Sequence, residues 1–444
     1  MFKTLRRYYW VTQSFLARHS KIIFRTTGFV LVLILALVFF LRYLPAPKHT
    51  TRLGRVGKYT LETFPHDIQS TLSRGLVSIT PEGVVEPGLA KSWELKDDDK
   101  TYVFTLDPTL RWHDGEAVTP SDISYNFTDV TVELGQDTIA YHLKEPFSPF
   151  FSAVARPILK KNKLGVAQFR LTKTQIENGV IQSLTLESES QRRIYKFYPT
   201  ETSSVTAYKL GEIDAIEHLS FVSETLSRDP TSLVKEDENT SFQQSVLFFN
   251  NNDVILSSKS ARQALAYAIK DKTHGRERSI SPISKSSWAF NNLVKTYDYD
   301  PERSRTLFAQ DIKDPAAQKL ELKTMLQYLD VAESIATSWR ETLGVQVDVK
   351  VVSGVTSDYQ IILADFTPPI DPDQYSIWHS TQATNFTHFS NLKIDKLLED
   401  GRRTSDQKLR QEIYQDFQRF LLEDCPAVFL FKSNSYTLSR QPLF

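Results

Sequence analysis

The sequence predicts an α/β protein of more than one lobe, held behind a single membrane-spanning helix. Three observations carry that expectation. At 444 residues the chain is too long for one small core, since a domain usually holds about 100–200 residues. Strand-like alternation and helix-like periodicity follow one another from about Tyr59 to the carboxy terminus, as they do in layered α/β proteins. Finally, "TTGFVLVLILALVFFL", Thr26 to Leu41, runs without a charge between Arg25 and Arg42.

The apolar run comes first in chain order. Ile22, Ile23, Phe24, Tyr43 and Leu44 can extend it, and about 20 apolar residues cross a bilayer while arginines snorkel at the ends. Lys3, Arg6, Arg7, Arg18, Lys21 and Arg25 precede it with no acidic residue. The positive-inside bias therefore puts residues 1–25 in the cytoplasm, 26–44 in the membrane and the remainder outside the cell, as a single-pass protein. A cleaved signal peptide is the alternative. Against it stand the long segment before the run and the lack of a small-x-small site after it. Residues 45–58, "PAPKHTTRLGRVGK", show no periodicity and read as a linker.

Beyond the linker the elements alternate. Trp93 and Leu95, then Tyr102, Phe104 and Leu106, alternate with polar residues across "KDDDK", the pattern of a half-buried hairpin. "HDGEAV" adds an Asp-Gly turn, and Thr119, Pro120 and Asp122 have the spacing of a capping box leading a helix with Ile123, Phe127 and Val130 on one face. "SSVTAYKLGEIDAI" reads as a helix, "SVLFFNN" as a short apolar strand, and "SSKSARQALAYAIKDK" as a serine-capped helix with Ala261, Leu265, Ala268 and Ile269 inward. A helix near residues 316–343 precedes the strands "VQVDVKVV" and "YQIILADF". The last helix is expected from about Ser405 to Glu423 with Leu409, Ile413, Phe417, Phe420 and Leu421 inward; Pro426 stops it before the strand "AVFLF".

Composition and motifs exclude several chemistries. Basic and acidic residues balance at 53 each, and the basic runs of a nucleic-acid groove are absent beyond the amino terminus, so no nucleic-acid partner is expected. Cys425 is the single cysteine, which excludes an internal disulfide and any CxxC site. No GxxxxGK[ST], HExxH, GxSxG or GxGxxG occurs, so no nucleotide, zinc or other cofactor and no catalytic residue is expected. His379 and His388 could converge on a metal, but no third ligand or recognisable spacing accompanies them. Asp365, Asp371 and Asp373 in "LADFTPPIDPDQY" stand either as turn acids ending a strand or as carboxylates beside a cleft. Trp93 and Trp112 read as core anchors. Trp288 and Trp378, in loop-like surroundings, are candidates for ligand contact, as is Asn385 in the polar stretch "TQATNFTH".

The stretch "PGLAKSWELKDDDKTYVFTLDPTLRWHDGEAVTPSDISYNF", from Pro87, closely resembles the signature region of family 5 extracellular solute-binding proteins, the peptide, dipeptide and nickel receptors of ABC importers. "YKLGEIDAI", "FFNNND" with "ARQALAYAIKD", "YDYDPERSRTLFA", and "ADFTPPIDPDQY" through "NFTHFSNLKIDKLLEDGR" to "YQDFQRFLLEDCPAVFLF" resemble further family elements in the family's order. The resemblance implies a two-lobed, periplasmic-binding-protein-like fold with a hinge and an interlobe cleft. It assigns residues 59–245 and 427–444 to lobe one, with a hairpin-bearing subdomain at about 81–150, and residues 246–426 to lobe two. It further implies a monomeric receptor without enzymatic activity, whose partners are a peptide ligand, an ABC permease and its ATPase subunits.

The same resemblance makes Asp365 the anchor for a ligand's α-amino group, because "LADF" occupies the place of the family's W-x-(AG)-D-(YF). A carboxylate in a closing, water-poor cleft forms strong charge-assisted bonds to an ammonium. Two departures bear on the ligand: Leu363 and Ala364 precede the aspartate without the family's tryptophan, and no arginine lies between Ser353 and Gln360 to clasp an α-carboxylate. The expected ligand is thus an oligopeptide rather than a strict dipeptide, with nickel or another small solute as the alternative, and a surface hydrolase using Asp365 and Asp371 as a further one.

Overall fold

A computed structural model describes residues 2–43, 48–61, 63–161, 163–237 and 243–440. The chain divides into two compact units, residues 1–49 with 189–191, and residues 50–188 with 192–444. The first is dominated by one unbroken helix, Phe2–Tyr43. Its segment Tyr9–Ala36, 28 residues, is long and apolar enough to cross a membrane. Phe24, Phe29 and Val30 to Leu35 are exposed, an apolar surface that a membrane anchor and a signal sequence share. Leu44, the expected end of the span, lies outside the described residues.

The second unit carries two large sheets, a four-stranded one and the two-stranded pair Val77–Ile79 with Val85–Pro87. The lobe-one sheet orders its strands Leu233–Glu236, Tyr436–Ser439, Ala215–Leu219, His49–Val56, Gln191–Tyr198, Val180–Glu187 and Arg170–Glu177. The expected linker is corrected here: residues 49–56 are an interior strand of this sheet, parallel to Ala215–Leu219 through Leu53 and Gly54. Gly54 leaves room there for Ile213, whose Cδ1 would lie 2.5 Å from a Cβ and would have to shift to admit one. The short reach of "TRLGRV" and its arginines hid the strand.

The lobe-two sheet runs Gln346–Val351, Lys319–Thr324, Ile361–Phe366, Gln244–Phe249 and Ala427–Lys432. Gln244–Phe249 is buried along its whole length, and its part Val246 to Phe249 is a continuous apolar run. Its side chains alternate between two cores: Leu247 and Phe249 pack with Leu265, Ile335 and Trp339 on one face, Val246 and Phe248 with Trp378, Tyr414 and Phe417 on the other. Helix Lys259–Ala268 is capped by Ser258 and buries the expected Ala261, Leu265 and Ala268. Ala427–Lys432 pairs with Gln244–Phe249, so the return to lobe one begins after Lys432 and not at residue 427 as expected.

The smaller sheet, Ala90–Lys96, Thr101–Leu106, Thr138–Leu143 and Val130–Leu134, holds the expected hairpin. Its turn takes Asp97, Asp98 and Asp99 through left-handed backbone, φ 54, 53 and 63, which short polar side chains tolerate best. The capping box at Thr119 and Asp122 forms, but the helix does not: one 3-10 turn, Pro120–Asp122, is followed by extended chain. Tyr125 and Phe127 instead stack at 5.5 Å in a cluster with Tyr141 and Phe150. Two further differences concern helices. Residues 319–324 are a strand, with the helix confined to Leu329–Leu343, and Leu409 on the helix Gln407–Asp424 is exposed.

Candidate functional site

Two passages join the lobe sheets, one flanked by Asp237 and Gln243 and one across Ser433–Ser435. They are stitched together by Asp237 N donating to Ser435 O at 2.8 Å and Ser433 N donating to Gln243 O at 2.8 Å. Asp365 lies beside this crossing, opposite Ser245 in the strand pair. Its Oδ1 accepts the Tyr328 hydroxyl at 2.5 Å and the Ser433 hydroxyl at 2.8 Å. Tyr328 is delivered by the single 3-10 turn Leu326–Tyr328 that opens the helix Leu329–Leu343. Burial pushes the Asp365 carboxyl above the usual aspartate value; the two hydroxyls and Arg276 pull it down, and Glu201 pushes it up.

Asp365 lines a cavity of about 430 Å³ whose walls come from both lobes. Val56, Glu201, His218, Asn434 and Ser435 form the lobe-one side; Gln243, Gln327, Asp365 and Thr367 form the other. Glu201 is the first residue of helix Glu201–Lys209, capped by Thr200, and its Oε1 accepts Ser220 N at 2.8 Å. His218 sits at φ 58, with Nδ1 3.3 Å from Ser435 Oγ. A larger cavity of about 830 Å³ lies between Ser73 to Ile79 and the turn Pro369 to Asp371, again between lobe one and lobe two.

The other sequence candidates fall elsewhere. Trp378 is fully enclosed in the lobe-two core, its Nε1 donating to Gln374 Oε1 at 2.8 Å, so it is a packing residue. Asn385 is buried, donating to Phe389 O at 2.8 Å and accepting from Thr387 Oγ1 at 2.8 Å; it ties its own loop. Trp288 lies against Gly83, where a Cβ would meet its ring at 2.9 Å, and its backbone N donates to Glu82 O. It clasps the small-sheet subdomain to lobe two and does not line the cavity of Asp365.

His379 is buried on Tyr375, ring centroids 4.1 Å apart, while His388 is exposed, and neither lines that cavity. Among the described residues no group of three metal-ligating side chains occurs. Asp371 is held by Arg410 at 2.6 and 2.9 Å, and Asp373 by Arg402 at 2.9 Å. Asp365 and Asp371 thus line separate cavities and form no acid–base pair. Sequence reasoning missed Glu201, His218 and Gln243. The only signal at Glu201 was an acid in the first turn of a capped helix, which its helix explains without a ligand.

Comparison with known proteins agrees with this architecture. The family model described as "Bacterial extracellular solute-binding proteins, family 5 Middle" matches residues 84–146 and 189–388. The probable D,D-dipeptide-binding periplasmic protein DdpA of Escherichia coli is 21% identical over 418 residues, 79% of this chain and 80% of its own. Among solved structures, NikZ of Campylobacter jejuni in complex with Ni(L-His) superposes with a TM-score of 0.73 at 21% identity, covering 89% of this chain and 94% of that one. The oligopeptide-binding protein AppA of Bacillus subtilis, in complex with a nonapeptide, gives 0.67 at 18% identity over 89% and 95%. At these identities the structural likeness speaks for the fold alone.

Proposed function

Because the chain belongs to the family 5 bacterial extracellular solute-binding proteins, we propose that it captures oligopeptides between its two lobes, with Asp365 holding the peptide's α-ammonium. It is a binding protein of the ABC-importer class and not an enzyme. The observation that carries the reading is the position of Asp365: a half-buried carboxylate on a cavity whose walls both lobes supply. Its Oδ1 is oriented by Tyr328 and Ser433, and among the described residues no protein donor bonds Oδ2, which is left for the ligand. The second, larger cavity offers room for residues further along the peptide.

Closure by rotation about the two crossing segments would bury the ammonium against Asp365 and present a changed lobe surface to a permease. The ATP-driven step belongs to separate subunits. The helix Phe2–Tyr43 tethers the receptor, amino terminus in the cytoplasm and lobes outside. A nickel complex is the competing occupant, since AppA and NikZ share this fold. Isothermal titration of the detergent-solubilised full chain with tripeptides to pentapeptides and, separately, with nickel and histidine decides between them. Peptide binding with no heat from nickel is expected; saturable nickel binding without any peptide binding refutes the proposal. A reporter at Phe444 that is active only outside the cell supports the tether, and a cytoplasmic signal overturns its orientation.

A further inference from the structure

Arg276 closes a tight turn. Asp271 Oδ1 accepts Thr273 N at 2.8 Å and His274 N at 3.0 Å, and Arg276 N donates to Thr273 O at 2.9 Å. The chain then runs beside Ala427–Lys432: Ser279 N donates to Leu430 O, Lys432 N donates to Glu277 O, and Arg278 pairs with Phe431. These backbone bonds fix the turn and lay the Arg276 guanidinium over the Phe431 ring, Cζ 4.6 Å from its centroid.

Phe431 belongs to the row that carries Asp365. Ser245 stands opposite Phe431 on one side and opposite Asp365 on the other, so the three side chains share one face across strands about 4.8 Å apart. Tyr328 fills the space between, its ring 6.3 Å from that of Phe431 and its hydroxyl on Asp365 Oδ1. Arg276 is uncommitted: its Nη1 is buried without a hydrogen-bond partner, and among the described residues the guanidinium enters no ion pair. It draws on the Asp365 carboxyl more than Glu201 pushes against it. The other titratable groups around Asp365 are Tyr328 and, across the cavity, Glu201 and His218. Beside Arg276, His274 meets the Phe431 ring at 5.9 Å, Glu277 holds Lys285 at 3.1 Å and Arg278 donates to Leu430 O at 2.8 Å. A guanidinium bonded to Asp365 Oδ2 would compete with a ligand for that atom. Held on Phe431, it offsets part of the cost of burying the carboxylate and leaves Oδ2 open.

Resting on the peptide reading, we infer that Arg276 is a positioning residue of the ligand site, the buried counter-charge that readies Asp365 for an ammonium without itself touching the ligand.

The test titrates Ala-Ala-Ala into the full chain in detergent between about pH 4.5 and about pH 7.5, above the range of the peptide's own carboxyl. The proteins compared are native, Arg276→Met, Arg276→Lys and Asp365→Asn. The acid limb of native affinity, assigned to Asp365 by its absence from Asp365→Asn, should move up by about one pH unit in Arg276→Met. Below the limb that is about a tenfold loss of affinity. Arg276→Lys keeps the charge and should keep the native limb. Above the limb Arg276→Met should bind at least as tightly as native, because the lost cation touches no ligand and repels the ammonium. An unmoved limb overturns the inference, and so does a loss by one factor at every pH, which would make Arg276 a ligand contact or a packing residue.

Melts of the ligand-free chain separate this result from the peptide reading. At neutral pH, Asp365→Asn should raise the thermal midpoint more when combined with Arg276→Met than in the native background, and an equal change in both overturns the inference. If Arg276→Met does not fold, adding Asp365→Asn should restore folding; a double variant that stays unfolded makes Arg276 a packing residue. Should the melts show the coupling while Ala-Ala-Ala binds nowhere, the counter-charge stands and the peptide reading fails.

Discussion

Replacing Asp365 by asparagine removes one negative charge while leaving an oxygen where Oδ1 accepts Tyr328 and Ser433. Shape and internal bonds survive, so the substitution reports on charge at Oδ2. A hydrogen bond to a charged group contributes about 1.5–3 kcal/mol, and losing one partner of a buried pair costs about 2–5 kcal/mol. Asp365 is half-buried, which points to the lower part of that span. About 2–3 kcal/mol corresponds to a weakening of about 30- to 150-fold. Titration calorimetry with a free-amino tripeptide reads this loss; the amino-acetylated peptide should bind weakly to both proteins and show no further loss. The raised carboxyl adds a pH dependence. Its folded value exceeds the unfolded one, so ionised Asp365 costs stability above the folded pKa, and the cost shrinks as pH falls through that value and is gone below the unfolded one. Ligand-free Asp365→Asn should therefore melt no lower than the native protein at neutral pH. Native affinity for the peptide should fall as acid protonates Asp365, at a pH above the ordinary aspartate range, while that of the variant stays flat. Binding within threefold of native in Asp365→Asn refutes the reasoning.

Two further expectations concern residues that the fold uses for packing. Trp378→Ala empties a fully enclosed site and should cost about 3–5 kcal/mol in urea unfolding, with peptide affinity of the folded protein unchanged; lost affinity at an unchanged urea midpoint would return Trp378 to the ligand site. Arg410→Met strands Asp371, which Arg410 holds at 2.6 and 2.9 Å, and should cost about 3–5 kcal/mol. Adding Asp371→Leu should recover most of it, and a single variant as stable as native would show the pair to be dispensable.

How much was legible depended on whether a residue's role is local. The hairpin across "KDDDK", the Ser258 cap and the buried strand "SVLFF" are dictated by near neighbours in sequence, and all form. The helix expected after Asp122 fails because Ile123, Tyr125 and Phe127 also repeat at two residues, and the aromatic cluster around Tyr141 and Phe150 rewards extended chain. The strand His49–Val56 is likewise decided by distant partners: Asp214 holds Arg52 at 2.7 Å and Ala215 pairs with Leu53. At the cavity, Asp365 was singled out through the family pattern around it, and its role as ligand anchor is a proposal. Glu201 and His218 were not, because the fold brings them to Asp365 from segments more than 140 residues away. Trp378 and Asn385 were misread because a loop-like sequence need not be a surface: this loop is folded under the lobe-two core.

In the proposed function, two lobes joined by two passages of chain close on a guest held at Asp365. Single-molecule energy transfer between dyes on exposed cysteines, one per lobe at Lys173→Cys and Glu333→Cys, measures this directly, since the native Cys425 is buried. A peptide that calorimetry shows to bind should shift the distance distribution in the native chain and leave it unmoved at the same concentration in Asp365→Asn. A native distribution unchanged at saturating peptide would contradict the account.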